Sequence, residues 1–274
     1  MRRLTDRMLS SFDLELRSSA RNPSPALWDC LPEILRRAET PEDQWVASRL
    51  FRGMSDLGNV GQRPNGQLLQ DALVVGLFGR GGYFIEVGAG HPRRFSNTYV
   101  LDRYLEWSGV RIEPNPEFAA LHRADLSGGV TFFEVVASGD TDGWCDLILA
   151  EELSVVSHQA PKDGYARERQ QSEARNGSIR VRTRPISDLL FEASSPSRVE
   201  YLSIDTEGSE LELLMAFPFD VIEVQFLTVE HNHNKSAQRQ QCEFLFDKGF
   251  QQVFEPFTAW ESWFVSSTLL DGRA

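Results

Sequence analysis

The feature that most constrains this chain is a change of rhythm at Gly82. From there to the C-terminus, short apolar runs alternate with helical segments, the pattern of strands and crossover helices in an open, mostly parallel sheet. The run YFIEVGAG reads as a buried strand ending in a glycine turn, with a helix expected over about residues 97–107. VRIE is the second strand, Asn115 caps the next helix with Pro116 at its first position, and VTFFEVV is the third strand. CDLILA and SIRVRTR flank a polar stretch without periodicity, expected to be a mobile loop insertion near 157–178 lying over a site. VEYLSID, the helix SELELLMAF, VIEVQFLTVE, a helix near 236–248 and two closing strands, FQQVFE and SWFVSS, complete the unit. Residues 1–75 read instead as a helical, polar accessory region, broken at Asn22-Pro23-Ser24-Pro25 and at Pro41. The chain is therefore expected to divide into 1–75 and 76–274.

Charge narrows the partners. Lys and Arg total 28 against 40 Asp and Glu, a formal net charge of -12, which opposes a phosphate backbone and makes nucleic acid an unexpected partner. No run of eighteen apolar residues is present, so no membrane partner is expected, and the first sixteen residues lack the apolar centre of a secretion signal. A cytoplasmic location is the expectation, and the preference for Arg over Lys suggests a GC-rich bacterial source. Cys30, Cys145 and Cys242 lie too far apart for a zinc or disulfide spacing and read as buried thiols. The charge is uneven: residues 162–184 carry seven basic and three acidic residues, residues 200–261 twelve acidic and three basic. The basic stretch is expected to be a solvated loop, or a cover that favours an anionic acceptor.

In an open α/β sheet, ligands bind beyond the carboxyl ends of the strands. Those ends are Glu86-Val87-Gly88-Ala89-Gly90, Glu113-Pro114-Asn115, Val136-Ala137-Ser138, Asp205-Thr206-Glu207-Gly208 and Glu230-His231-Asn232, and four of the five carry a carboxylate. Gly88 and Gly90 allow a tight turn, but His91-Pro92-Arg93 follows, so the third glycine of a dinucleotide fingerprint is missing. Glu86 would repel a pyrophosphate and attract an ammonium, while Glu113 can accept both hydroxyls of a ribose. Together these describe S-adenosylmethionine better than NAD.

The combination GYFIEVGAG, SNTYVLDRYLEWSGVRIEPNPE, SIDTEGSELELL and TVEHN, over about residues 65–265, closely resembles the FkbM family of S-adenosylmethionine-dependent methyltransferases. The resemblance implies an α/β, Rossmann-like class I methyltransferase fold: a seven-stranded, mostly parallel sheet with an antiparallel final hairpin, plus the N-terminal helical extension. It implies that Glu86, Gly88, Ala89 and Gly90 line the methionine end of the cofactor, Glu113 and Pro114 the ribose, and Ala137 and Ser138 the adenine edge. Ser96 and Asn97 would help hold the carboxylate, Asp205 would also touch the cofactor, and Gln67 and Asp71 match the Gln-x-x-x-Asp that precedes the first strand in many members. The loop Gly90-His91-Pro92-Arg93-Arg94 departs from the commoner forms of the turn.

Methyl transfer to oxygen needs a group that takes the acceptor's proton. His231, Asp205 and Glu230 are the catalytic candidates, with His231 first because imidazole titrates near neutral pH; a hydrogen-bonded structural histidine is the alternative, and His233 reads as a loop residue. Asp205, Glu230 and Asn232 also form a hard-oxygen set for Mg²⁺. Glu207 stands with these strand-end candidates, and capping of the helix near Ser209 is the alternative for Glu207 and Glu210. The expectation is a methyltransferase acting on a hydroxyl of a small-molecule acceptor, from secondary or carbohydrate metabolism. A cofactor-binding regulator or complex subunit without transferase activity is the alternative, and a dinucleotide oxidoreductase stands behind both.

Overall fold

A computed structural model describes residues 38–151, 153–157, 166–255 and 257–272. Two helices lead, α1 (Pro41–Asn59) and α2 (Gln70–Phe78). There follow β1 (Tyr83–Val87), α3 (Tyr99–Tyr104), β2 (Ser108–Ile112), α4 (Pro116–Ala124), β3 (Val130–Phe133), β4 (Val136–Ser138), β5 (Gly143–Ile148) and β6 (Val155–Val156). Then come α5 (Ala166–Asn176), β7 (Ser178–Pro185), α6 (Ile186–Glu192), β8 (Arg198–Ile204), α7 (Glu210–Ala216), β9 (Glu223–Glu230), α8 (Lys235–Asp247), β10 (Phe250–Val253), β11 (Glu261–Ser266) and α9 (Ser267–Asp271).

Seven strands form one sheet in the order β10-β11-β9-β8-β1-β2-β3. Pairing is parallel from β3 across to β9 and antiparallel on both sides of β11. This is the expected sheet, closing hairpin included. Strand order reverses beside β1, which opens a crevice between the ends of β1 and β8.

Alternation along the strands builds two cores. Phe84, Tyr201 and Phe226 face a cluster with Val46, Leu50, Met54 and Leu57 of α1 and Leu73 and Val74 of α2. Ile85, Val87, Leu202, Ile204 and Leu227 face the other layer, with Leu189 of α6, Leu213 of α7 and Leu245 of α8. The helices α1 and α2 cross so closely that a Cβ at Gly53 would sit 1.7 Å from the Ala72 carbonyl oxygen, and one at Gly76 1.7 Å from that of Arg49. Asp43 Oδ1 further accepts from the Phe254 N–H at 2.8 Å. Residues 38–75 thus share a core with the sheet, while residues 1–37 of the expected accessory region, Cys30 among them, lie outside the described residues. Cys145 and Cys242 are half-buried rather than buried.

Two expectations are corrected. VTFFEVV is not one strand: β3 ends at Phe133, and β4 joins a second, four-stranded sheet ordered β4-β7-β5-β6. The polar stretch taken for a loop is helical over Ala166–Asn176 (α5), because its Ala, Arg, Glu and Gln residues favour helix without supplying an apolar stripe. Residues 158–165 of that stretch lie outside the described residues.

Candidate active site

Register sets the floor of the site. Val87 pairs with Ile112 on one side and Ile204 on the other, and Ile204 pairs with Val229. The next residues, Gly88, Glu113, Asp205 and Glu230, therefore emerge at one level. They ring a cavity of about 300 Å³, whose far wall is the apolar face of Ala137, Val136, Leu147, Leu153 and Val156 from the second sheet and its loops. Gly88 (φ 79) lies directly against β8, where a Cβ would come 1.6 Å from the Asp205 carbonyl oxygen. Only glycine fits there.

Glu86 sits within β1 and is 3% exposed, so its charge needs partners. Its pleat neighbour on β2 is Arg111, whose Nε lies 3.5 Å from Glu86 Oε2. Arg111 also donates to Thr98 Oγ1 at 2.9 Å and Asp102 Oδ2 at 3.1 Å. Thr98 Oγ1 donates to Glu86 Oε2 at 2.6 Å, and the Asn97 N–H to Oε1 at 3.2 Å. Burial raises the Glu86 carboxyl above its ordinary value, and Arg111 opposes the rise. Asn97 donates to Ser203 Oγ at 3.2 Å and keeps its own Oδ1 buried with no partner among the described residues.

Glu113 is likewise satisfied by backbone: Oε2 accepts from Gly90 at 2.7 Å and Oε1 from Asn115 at 2.8 Å. Burial nevertheless pushes its carboxyl up to about 7. Asp71, just ahead of β1, is wholly buried, accepts from the N–H groups of Asn65 and Ala72, and rises to about 6 for the same reason. Gln67 and Gln70 reach the cavity wall.

The opposite end is a group of acids. Ligand oxygens of Asp205, Glu207 and Glu230 lie within 4.8 Å of one another. Asn232 Nδ2 donates to Glu207 Oε2 at 3.1 Å and Glu230 Oε2 at 2.7 Å, and Arg169 of α5 donates to Glu207 Oε2 at 3.2 Å. Burial, then the charges of Asp205 and Glu207, hold the Glu230 carboxyl well above its ordinary value; burial raises Asp205 too, but a hydrogen bond from Glu230 tempers the rise. Two buried carboxyls this close titrate as a pair, and burial raises both. Glu207 (φ 58) and Asn232 (φ 48) hold left-handed conformations that cost a side-chain-bearing residue about 1–2 kcal/mol. Beyond them Glu261 accepts from Gln70 Nε2 at 2.9 Å and from Trp263 Nε1, and burial pushes it up to about 8.

Most expected residues meet at this cavity: Glu86, Gly88, Ala89, Gly90, Asn97, Glu113, Pro114, Ala137, Asp205, Glu230 and Asn232 line it. Three stand off its wall. Ser96 accepts from the N–H groups of Thr98 and Tyr99 at the start of α3, and Ser138 Oγ donates to the Thr141 carbonyl at 2.7 Å. His231 Nε2 lies 3.1 Å from the Glu261 carbonyl oxygen, which can only accept, so Nε2 carries the proton; Nδ1 is buried and has no hydrogen-bond partner among the described residues, and burial pushes the ring down to about 4. The imidazole ties β9 to β11, and the acids, not the histidine, face the cavity. Asn232 turns its amide nitrogen to the carboxylates, so it does not extend their oxygen set.

Arg169, which reaches Glu207 from α5, is a residue that the sequence reading did not single out. Arg169 gave no signal, since its partner is 38 residues away.

A family model described as Methyltransferase FkbM domain matches residues 86–262, well over half of the chain. No curated protein matches it. Similar solved structures include methyltransferase FkbM from Methylobacillus flagellatus KT, with 12% identity and TM-score 0.45, covering 86% of this chain and 59% of that one. Another is precorrin-6y C5,15-methyltransferase from Geobacter metallireducens GS-15, with 14% identity and TM-score 0.37, covering 68% and 72%. The chain spans less than two thirds of the length of the first of these.

Proposed function

The chain belongs to the FkbM methyltransferase family, and we propose that it uses S-adenosylmethionine to methylate a hydroxyl of a small molecule in the cytoplasm of a bacterium. The observation that carries the reading is the single level at which Gly88, Glu113, Asp205 and Glu230 emerge around one cavity. The residues present fit this cofactor. Beside Glu86, Asn97 keeps a buried acceptor oxygen with no partner among the described residues, which suits an ammonium, and the slot of Ala137, Leu147 and Val156 suits an apolar-faced base. Glu86, Asn97 and Gly88 would hold the methionine end, Glu113 the ribose. When bound, the cofactor supplies a methyl group on a cationic sulfur.

The chain's own part is to orient the acceptor and take its proton. Asp205, raised by burial, is a base better matched to a hydroxyl than an exposed carboxylate. Glu207, held by Arg169 and Asn232, adds a negative charge beside Glu230. The three acids also have the chemistry of a Mg²⁺ site, but donors from Arg169 and Asn232 already occupy Glu207 and Glu230, so turnover is expected to survive chelation.

The test is production of S-adenosylhomocysteine by the purified protein from S-adenosylmethionine and a panel of hydroxylated small molecules, sugars included, with and without EDTA. Product coupled to methylation, lost in Asp205→Asn while S-adenosylhomocysteine still binds, supports the reading. Binding without turnover across the panel favours the non-catalytic alternative, and binding of NAD with none of S-adenosylhomocysteine sinks it.

A further inference from the structure

The two glycines of the cofactor turn are held in different ways. Gly88 is fixed by packing, since its Cα lies against the backbone of Asp205. Gly90 is not: a Cβ there would meet nothing within 4 Å, and its backbone (φ 55) is free of steric confinement. Its position rests on hydrogen bonds. The N–H donates to Glu113 Oε2 at 2.7 Å, and the carbonyl lies 3.0 Å from His122 Nε2.

His122 stands near the end of α4, is 1% exposed, and stacks on Phe132 with ring centroids 4.8 Å apart and planes 17° from parallel. A carbonyl oxygen only accepts, so Nε2 must carry the proton. Nδ1 is buried and has no hydrogen-bond partner among the described residues. A second proton there would place a cation in a dry pocket beside Arg111, which is why burial and Arg111 push this ring down to about 4. Stack, burial and the absence of a partner at Nδ1 leave one neutral tautomer, with its only described hydrogen bond aimed at the turn.

We propose that His122 is a positioning residue of the cofactor end: by donating to the Gly90 carbonyl, it holds the turn where its N–H keeps the Glu113 carboxylate in place for the ribose. The inference rests on the reading of this cavity as the S-adenosylmethionine site. It assigns the histidine no contact with the cofactor, because His122 does not line the cavity.

Two substitutions separate positioning from packing. His122→Phe keeps a ring to stack on Phe132 and removes the donor; His122→Gln removes the ring and keeps an N–H at similar reach. Calorimetric titration of the full chain with S-adenosylhomocysteine is expected to show binding about tenfold weaker in His122→Phe and within about threefold of wild type in His122→Gln. Unchanged affinity in His122→Phe, or equal losses in both variants, overturns the proposal. Long-range proton–nitrogen spectra of the wild type at pH 7 provide a readout that needs neither variant nor ligand. A neutral His122 protonated on Nε2 is expected, and protonation on Nδ1 or on both nitrogens overturns the proposal. Should the wild type bind no S-adenosylhomocysteine, the functional reading fails, while the tautomer still decides whether His122 holds Gly90.

Discussion

The two ends of the cavity satisfy their carboxylates by opposite means. At the turn end, Glu86 and Glu113 are met by the main-chain N–H groups of Gly90, Asn97 and Asn115, by the Thr98 hydroxyl and by a buried guanidinium from the adjacent strand. At the acid end, Asp205, Glu207 and Glu230 face one another, held by side chains from α5 and from a turn, and burial and mutual charge raise Glu230. Groups fixed by backbone suit a ligand that must always sit in one place. Groups that hold a movable proton suit chemistry. The first end is therefore assigned to binding and the second to the reaction.

The largest effect should come from the acid end. Asp205→Asn is expected to lower turnover about 10²- to 10⁴-fold, measured as S-adenosylhomocysteine release, with cofactor affinity within about threefold of wild type. A comparable loss of affinity would merge the two ends into one. Arg111→Met probes the other end through stability: it leaves Glu86 and Asp102 buried without their cation and should cost about 3–5 kcal/mol in urea unfolding. A loss under about 1 kcal/mol would mean that Glu86 does not depend on the pair.

The pH dependence of stability is a milder probe of the acid end. The Glu261 carboxyl lies at about 8 in the folded chain against 4.5 ordinarily, so between these values the folded state keeps a proton that the unfolded state releases. Its contribution to stability is full below about pH 4.5 and falls as pH rises toward 8. Glu261→Gln should flatten that part of the melting-temperature profile. A profile as steep as the wild type's would place the responsible groups elsewhere. The smallest effect is expected at His231: with its ring bonded to the Glu261 carbonyl and off the cavity wall, His231→Ala should change turnover no more than about threefold at a temperature where it stays folded. A loss matching that of Asp205→Asn would restore the imidazole as the base.

Much of this was legible in the sequence, and what was not has physical causes. The alternation of strands and helices and the strand-end acids follow from the apolar runs, while the seven-stranded sheet with its closing hairpin was implied by the family resemblance. The division of VTFFEVV between two sheets left no trace, since an apolar run suits either sheet. The helix α5 was hidden because it is polar all round, and Arg169 because its partner is distant in the chain. His231 stands off the wall between Glu230 and Asn232, where β9 has ended and the left-handed backbone at Asn232 (φ 48) breaks strand alternation, a turn the sequence did not show.

The division of labour is tested most directly by titrating S-adenosylhomocysteine into Glu113→Gln and Glu230→Gln side by side. Binding weakened about ten- to a hundredfold in Glu113→Gln, with Glu230→Gln within about threefold of wild type, is the expected result. Affinity kept in Glu113→Gln and lost in Glu230→Gln would contradict it.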